Sequence, residues 1–312
     1  MKPRIGVSSC LLGEQVRFDG GHKRHRFLAD VLDPYVDWVP FCPEVAIGLG
    51  TPRETLKLTD GGRLVNRSRT ADHTAAMAAL PLPPGIDGYV FKAKSPSCGI
   101  HGIPRYSGNE QVADRLGRGV YAGRVLDARP LLPAEDEGRL SDDRLREAFV
   151  ERIFATARLR ELFAARWQPR DLVDFHARHK LQILAHDPAA CRQAGQVVAR
   201  AGRQPRVVVQ AEYRELFCAA LAGTATRGRH ANALLHAFSQ VSDVLDDARR
   251  RDLADRIEAY RRGDTPLSVP VALLAHHAHG EGLGWLAGQT YLAPYPAALG
   301  PGRAPGREPR RG

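Results

Sequence analysis

The chain of 312 residues is long for one hydrophobic core and fits two domains of about 100–200 residues each. Apolar residues make up 43% and charged residues 26%, which is the composition of a folded globular protein and excludes a disordered or fibrous one. No apolar run reaches the roughly 18–20 residues of a membrane span, and the run after Met1 is too short for a signal peptide. Five cysteines without an export signal argue against a disulfide framework, so we expect a cytoplasmic protein with no membrane partner.

The positive charge is concentrated in the second half of the chain. The formal net charge is +10, yet residues 1–150 hold 21 cationic and 19 anionic side chains, whereas residues 151–312 hold 24 and 16. A basic region beside a nearly neutral one is typical of polyanion binding. Only six of the 45 cationic residues are lysines, and a GC-rich genome also produces such an arginine excess. Charge alone therefore leaves a nucleic-acid partner open.

Strand and helix patterns alternate over the first 130 residues. We predict strands at 4–9, 37–41 and 88–92, and helices at 27–35 and 70–80. Such alternation requires crossover connections and predicts a small Rossmann-like parallel sheet, that is, an α/β domain.

From Ser141 onward the pattern is helical only, which predicts an all-α C-terminal domain. Helices are predicted at 141–167, 171–186, 207–222, 230–246, 249–262 and 267–278, separated by breaks such as Asp187-Pro188. We therefore predict an α/β domain at 1–150, an all-α domain at 151–298, and a disordered basic tail at 299–312.

Three cysteines lie shortly after predicted strands, in segments rich in Gly, Pro and Ser. They are Cys10, Cys42 and Cys98. Ligand sites of parallel sheets lie at the carboxyl ends of the strands, so these thiols are expected to converge. No Cys-x-x-Cys pair is present, and two interpretations stay open at this point: three buried thiols, or ligands of a metal or an iron–sulfur cluster. Cys191 and Cys218 lie beside or on predicted amphipathic helices and are interpreted as core residues.

The segments around these cysteines resemble the thiouracil desulfidase family. The matching stretches are Ser8-Ser-Cys-Leu-Leu-Gly13, Arg17-Phe-Asp-Gly-Gly-His-Lys-Arg24, Phe41-Cys-Pro-Glu-Val45, Gly50-Thr-Pro-Arg-Glu54 and Lys94-Ser-Pro-Ser-Cys-Gly99. The second half resembles the helical domain that is often fused to this family, in stretches that include Phe175-His-Ala-Arg-His-Lys-Leu181 and Asn232-Ala-Leu-Leu-His236. Many family members carry a further cysteine where this chain has Val16.

The resemblance implies a 4Fe-4S cluster held by Cys10, Cys42 and Cys98, with one iron not bound by protein and open to the sulfur of a thiolated pyrimidine. The fused form resembles enzymes that remove sulfur from 4-thiouridine in tRNA. Water would attack the thiocarbonyl carbon without a redox change, and the open iron would take the sulfide. The basic C-terminal domain would then hold the tRNA.

Hydrolysis of this kind needs groups that accept and donate protons. Glu44 follows Cys42 by two residues and is held near it by Pro43, so it is the first candidate. Ser95, three residues before Cys98, is the second, as a proton relay or a pyrimidine ligand. Asp19 is a third, although a turn in Phe18-Asp-Gly-Gly21 is the favoured explanation for it.

Two further functions stay open. One is a desulfidase of free thiouracil or thiouridine, for detoxification or salvage. The other is a non-catalytic RNA-binding or cluster-sensing regulator, which would need the cysteines but neither Glu44 nor Ser95. In the helical half, His176, His179 and Lys180 share one helical face, and we favour an RNA-facing or interhelical role for them over a metal site.

Overall fold

The computed structural model describes residues 2–164 and 166–300. The chain divides into two compact units: an α/β unit of Met1–Ala157 with the chain from Tyr295 onward, and a helical unit of Arg158–Pro294. The predicted fold class, α/β followed by all-α, is confirmed. The boundary predicted at residue 150 falls inside a helix, and it stays a prediction. No helix in the described ranges is long and apolar enough to cross a bilayer.

The α/β unit is built on a four-stranded parallel sheet. Its strands are β1 (Arg4–Ser8), β2 (Asp37–Phe41), β5 (Gly88–Phe91) and β8 (Ala134–Asp136), in the order β2-β1-β5-β8. The first three match the predicted strands to within a residue at each end. Their apolar side chains alternate between two faces, as the pleat requires, so that Ile5 and Val7 contribute to one core and Tyr89 and Phe91 to the other.

A second, mixed sheet lies in the same unit, and the sequence patterns do not predict it. It consists of β3 (Leu56–Thr59), β4 (Leu64–Asn66), β6 (Ile103–Tyr106) and β7 (Val112–Gly117), in the order β4-β3-β6-β7. The helices of the unit are α1 (Pro43–Ala46), α2 (Thr74–Ala79), α3 (Val120–Ala128) and the first part of α4 (Asp143–Ala164). The predicted helix at 27–35 forms as a π-type turn, Phe27–Leu32, followed by the 3-10 turn Asp33–Tyr35.

The C-terminal segment of the described chain returns to the α/β unit. Leu299 is 5% exposed and belongs to the same core as Phe149, Val150 and Ile153 of α4. The Tyr295 hydroxyl donates to Glu147 Oε1 at 2.8 Å. Of the tail predicted at 299–312, residues 301–312 lie outside the described residues.

The helical unit contains α5 (Pro169–His186), α6 (Pro188–Ala199), α7 (Arg206–Ala222), α8 (Arg227–Val241), α9 (Asp247–Arg262), α10 (Ser268–Gly280) and α11 (Gly284–Ala287). Helix α6 is absent from the sequence prediction because Asp187-Pro188 looks like a break. In the structure Asp187 is instead the N-cap of α6, and its carboxylate accepts the backbone N–H groups of Ala189 and Ala190 at 2.8 and 3.1 Å. Pro188, at the first helical position, has no backbone N–H and therefore needs no hydrogen-bond acceptor there.

Candidate functional site

Three neighbouring strands of the parallel sheet end at one edge. Ser8 at the end of β1 is in register with Phe41 at the end of β2, and Val7 is in register with Val90 of β5. The chain continues from these ends into Cys10, Cys42 and the loop that carries Cys98. The sheet topology therefore brings the three cysteines together, as parallel strand ends do.

The three cysteines line one cavity of about 370 Å³ inside the α/β unit. Glu44, Ser95 and Val16 line it as well, together with the cationic side chains Arg17, Arg53, Lys92 and Lys94. Its size lies at the lower end of the range for small-molecule sites, roughly 300–1,000 Å³. Of the predicted site residues, only Asp19 is not among those that line the cavity.

Cys10 lies in the short turn after β1. Its carbonyl accepts the backbone N–H of Lys23 at 2.9 Å, which fixes the turn. Burial raises the pKa of the Cys10 thiol to about 11, and the nearby ammonium group of Lys92 opposes that increase. Lys92 is itself paired with the carboxylate of Glu137, a residue that the sequence analysis does not single out.

Cys42 is the residue that precedes helix α1. Burial raises its thiol pKa, while the backbone N–H groups of Val45 and Glu44 lower it. The thiol donates to the carbonyl of Val16 at 3.8 Å.

Cys98 is 5% exposed, and burial raises its thiol pKa well above the ordinary value. The Ser95 hydroxyl oxygen accepts the N–H groups of Ser97 and Cys98 at 3.2 and 3.1 Å, so Ser95 shapes this loop besides facing the cavity. The start of α3 holds the loop from the other side, because the N–H groups of Tyr121 and Ala122 donate to the Ser97 carbonyl.

Gly119 allows the start of α3 to lie close to the loop that carries Cys98. A Cβ at this position would lie 2.6 Å from the carbonyl carbon and oxygen of Ser97 and 2.8 Å from the nitrogen of Cys98. Only a residue without a Cβ fits there unless the backbone moves. The signal in the sequence is a glycine just before a helical segment, which is too common a pattern to indicate this role.

The donor set fits an iron–sulfur cluster. Three thiols face one cavity, and thiolates are the usual protein ligands of such clusters. Within residues 2–164 and 166–300, no three His, Cys, Asp or Glu side chains converge closely enough to hold a single metal ion.

Glu44 forms an ion pair with Arg53, which the sequence analysis does not assign. The Arg53 Nη2 atom lies 2.8 Å from Glu44 Oε2, and the Glu44 and Arg53 side chains are 15% and 7% exposed. Arg53 also donates to the carbonyl of Val16 at 2.8 Å, the oxygen that accepts the Cys42 thiol. This network fixes the carboxylate beside Cys42.

Asp19 is placed differently from the other candidates. Its carboxylate accepts hydrogen bonds from the Arg17 side chain at 3.2 Å and from the backbone N–H of Gly21 at 3.1 Å. These bonds hold its pKa below the usual value, and the side chain is exposed. The arrangement is that of a turn residue that orients Arg17, which does line the cavity.

In the helical unit, His176 and His179 have interhelical and local partners. His176 Nδ1 lies 3.1 Å from the Tyr213 hydroxyl, and burial lowers the His176 pKa to about 4. His179 Nδ1 lies 2.7 Å from the Phe175 carbonyl, and Arg158 donates to His179 Nε2 at 3.1 Å. These contacts agree with the interhelical interpretation.

Residues 5–137 match the family described as 2-thiouracil desulfurase, and residues 180–296 match a protein family of unknown function, DUF1722. The chain is 30% identical over 157 residues to the uncharacterized protein YbgA of Escherichia coli strain K12, which covers 50% of this chain and 93% of that protein. A solved structure, the [4Fe-4S]-dependent thiouracil desulfidase TudS, is 32% identical over 45% of this chain and 94% of its own, with a TM-score of 0.38.

The α/β unit matches the 2-thiouracil desulfurase family and the helical unit matches DUF1722, which places the chain among proteins that combine these two domains. The chain belongs to the 2-thiouracil desulfurase family, in the form that also carries a DUF1722 domain.

Proposed function

We propose that this protein is a 4Fe-4S-dependent desulfidase that converts 4-thiouridine in tRNA to uridine. The observation that carries the proposal is the convergence of three thiols and an ion-paired carboxylate on one cavity, in a chain of the 2-thiouracil desulfurase family. Cys10, Cys42 and Cys98 would hold the cluster. When bound, such a cluster with one iron free of protein ligands supplies a soft Lewis acid for the thiocarbonyl sulfur.

The protein's own residues supply positioning and proton transfer. Glu44, paired with Arg53, accepts a proton from the attacking water. The Ser95 hydroxyl, whose oxygen accepts two backbone N–H groups, keeps its own proton free to donate into the cavity. Water supplies the new carbonyl oxygen and the sulfur leaves as hydrogen sulfide, so no electrons are exchanged.

The cavity suits one pyrimidine rather than a larger group. A volume of about 370 Å³ lies at the lower end of the range for small-molecule sites, which suits a pyrimidine base. A base within folded tRNA would have to be turned out of its stack to enter, as in other enzymes that modify bases. Arg17 and Lys94 line the cavity and favour a substrate that carries phosphates.

The ligand assignment is tested by iron content after anaerobic reconstitution. We expect about four irons per chain, and loss of the cluster in Cys10→Ala, Cys42→Ala and Cys98→Ala. Cys191→Ala and Cys218→Ala are the matched controls, since neither residue lines the cavity. Full iron content in any of the first three variants contradicts the assignment.

The proton-transfer assignment is tested by Glu44→Gln. This variant should keep its iron and lose about 100-fold in turnover of 4-thiouridine tRNA, measured by mass spectrometry of nucleosides. Glu14→Gln, an exposed residue of the same unit that does not line the cavity, is the control. Near-normal turnover in Glu44→Gln would mean that another group moves the proton.

Free thiouracil or thiouridine is the second candidate substrate. If tRNA is the substrate, its turnover should fall steeply with salt, because phosphate contacts release counterions, while turnover of the neutral nucleoside should change little. Equal salt dependence would favour the free thiopyrimidine. A regulator without catalysis would bind iron and RNA and leave both thiolated substrates unchanged.

A further inference from the structure

Ser8 carries a buried hydroxyl to which the proposed chemistry gives no role. It is the last residue of strand β1, it is 3% exposed, and it lines the cavity that contains the three cysteines. A hydroxyl buried to this extent needs hydrogen-bond partners inside the protein. The partners of Ser8 therefore indicate what it does.

The pleat of β1 places Ser8 on the same face of the sheet as Cys98. Val7 belongs to the core on one face, so Gly6 and Ser8 are directed to the other face. On that face, a Cβ added to Gly6 would lie 2.3 Å from Cδ2 of Tyr89, and the core that contains Tyr89 also contains Cys98. The hydroxyl and the thiol thus lie on one side of the sheet, near the edge where the strands end.

The first partner of the Ser8 hydroxyl is a backbone group. Its oxygen accepts the backbone N–H of Lys92 at 2.9 Å. Lys92 directly follows strand β5, so this bond extends the pairing of β1 with β5 beyond the last strand residues. A hydroxyl has one proton to donate besides the lone pairs with which it accepts. Because the oxygen is the acceptor in this bond, the hydroxyl proton stays available for a second partner.

That second partner is the sulfur of Cys98. Burial raises the pKa of the Cys98 thiol, the carboxylate of Glu44 raises it further, and a hydrogen bond with the Ser8 side chain opposes both. The thiols of Cys42 and Cys10 also raise this pKa. A hydrogen bond that favours the charged form of a thiol is one that the sulfur accepts. Ser8 therefore counteracts neighbours that disfavour negative charge on this sulfur.

Two of the cations that line the cavity are compensated by carboxylates. Lys92 is paired with Glu137, and Arg53 is paired with Glu44 at 2.8 Å. Each pair is close to neutral as a whole, which limits its effect on the charge of a sulfur atom. A hydrogen bond made directly to Cys98, in surroundings of low dielectric constant, acts on that sulfur at the shortest range.

We propose that the Ser8 hydroxyl donates a hydrogen bond to the sulfur of Cys98 when that sulfur binds the cluster, and that this bond raises the reduction potential of the cluster. The inference rests on the proposed function, in which Cys98 holds the cluster. Hydrogen bonds to the ligating sulfurs are one of the means by which proteins set cluster potentials. An added electron makes the sulfur more negative and strengthens the bond, so the bond favours the reduced state.

The test is a potentiometric titration of the reconstituted full-length protein with dithionite, followed by electron paramagnetic resonance. Ser8→Ala should lower the equilibrium constant of one-electron reduction about tenfold, which shifts the midpoint by about 59 mV to a more negative potential. The matched control is Ser9→Ala, because Ser9 is the next residue, is 4% exposed and lines the same cavity. Equal midpoint potentials in the two variants overturn the proposal.

A second measurement separates the hydrogen bond from a structural effect, since Ser8→Ala also removes the acceptor of the Lys92 N–H. Electron–nuclear double resonance of the reduced protein, prepared in H₂O and in D₂O, detects exchangeable protons close to the cluster. One such coupling should be lost in Ser8→Ala and kept in Ser9→Ala and Ser8→Thr, because threonine retains the hydroxyl. An unchanged set of couplings in Ser8→Ala overturns the proposal even if the potential shifts. So does the absence of any exchangeable coupling in the wild-type protein, which needs no variant.

Failure of this inference and failure of the proposed function give different results. If Cys98→Ala keeps its full iron content, the ligand assignment and the role of Ser8 are both wrong. If the cluster depends on all three cysteines and Ser8→Ala has the potential of Ser9→Ala, the role of Ser8 alone is wrong. If the potential and the coupling change as expected in a protein that does not desulfidate tRNA, the role of Ser8 holds and the substrate assignment is wrong.

Discussion

The substitution Gly119→Ala tests whether the loop that carries Cys98 depends on a single missing methyl group. The backbone of Gly119 has φ −56° and ψ 138°, which alanine adopts freely. Its Cβ would nevertheless lie 2.6 Å from the Ser97 carbonyl and 2.8 Å from the Cys98 nitrogen. All of these neighbours are backbone atoms, so relief requires a shift of the loop or of the start of α3.

The size of the effect follows from two opposing contributions. Overpacking of this kind costs roughly 1–3 kcal/mol. Replacing glycine at a compatible conformation returns about 0.4–1 kcal/mol by restricting the unfolded chain. We therefore expect a net loss of about 1–2 kcal/mol in the free energy of unfolding of the α/β unit, and a melting temperature lower by roughly 2–4 °C per kcal/mol.

The assay is urea unfolding of the metal-free protein, followed by iron content after reconstitution. Gly108→Ala is the matched control, because nothing lies within 4 Å of its Cβ position and its backbone φ is not positive. Iron binding should fall in Gly119→Ala alone, since the shift displaces Cys98. If the two variants unfold within about 0.5 kcal/mol of each other, the usual scatter of neutral surface changes, the steric argument is refuted.

Other predictions concern the helical unit. Asp187→Ala should destabilise this unit by about 1 kcal/mol in urea unfolding, the usual cost of a lost N-cap, whereas Asp174→Ala on exposed α5 surface should change little. Burial lowers the pKa of His176 from 6.5 to about 4 and that of His179 to about 3. The unfolded chain therefore binds protons below pH 6.5 that the folded chain does not, so stability is fully present above pH 6.5 and declines as the pH falls toward 4. Urea unfolding between about pH 7 and 5 should show this decline, and His176→Gln should make it shallower while His179 still contributes; an unchanged slope in that variant would contradict the assignment.

The sequence predicts the sheet edge and the cysteines on it because that information is local. Strands β1, β2 and β5 are short apolar runs that end just before turn residues, and a cysteine after each strand is visible without knowing which strands pair. The second sheet depends on the pairing of Leu56–Thr59 with the distant strand Ile103–Tyr106, and no local pattern in such short segments specifies that contact.

The parts of the site that the sequence does not predict depend on distant contacts as well. Arg53 contacts Glu44 and Val16 only because the loop after α1 turns back to the segment after β1, where the Phe18 carbonyl accepts the Arg53 N–H at 2.9 Å. Lys92 contacts Glu137 across the ends of the neighbouring strands β5 and β8. For Asp19 the contacts are local. Its carboxylate belongs to a candidate motif, but in the folded chain it accepts the backbone N–H of Gly21 in the same turn.

Because the chain returns to the α/β unit at Tyr295, the helical unit is a domain inserted within the α/β unit and not a separate C-terminal domain. Its first and last residues meet, since Arg158 Nη1 donates to the Pro294 carbonyl at 2.9 Å. Cutting the chain at 150 would remove Ile153, Phe154 and Leu299 from the core of the remaining unit. Excising residues 158–294 and joining Ala157 to Tyr295 by a short linker would keep that core whole, because closely spaced ends are what allow one domain to be carried inside another.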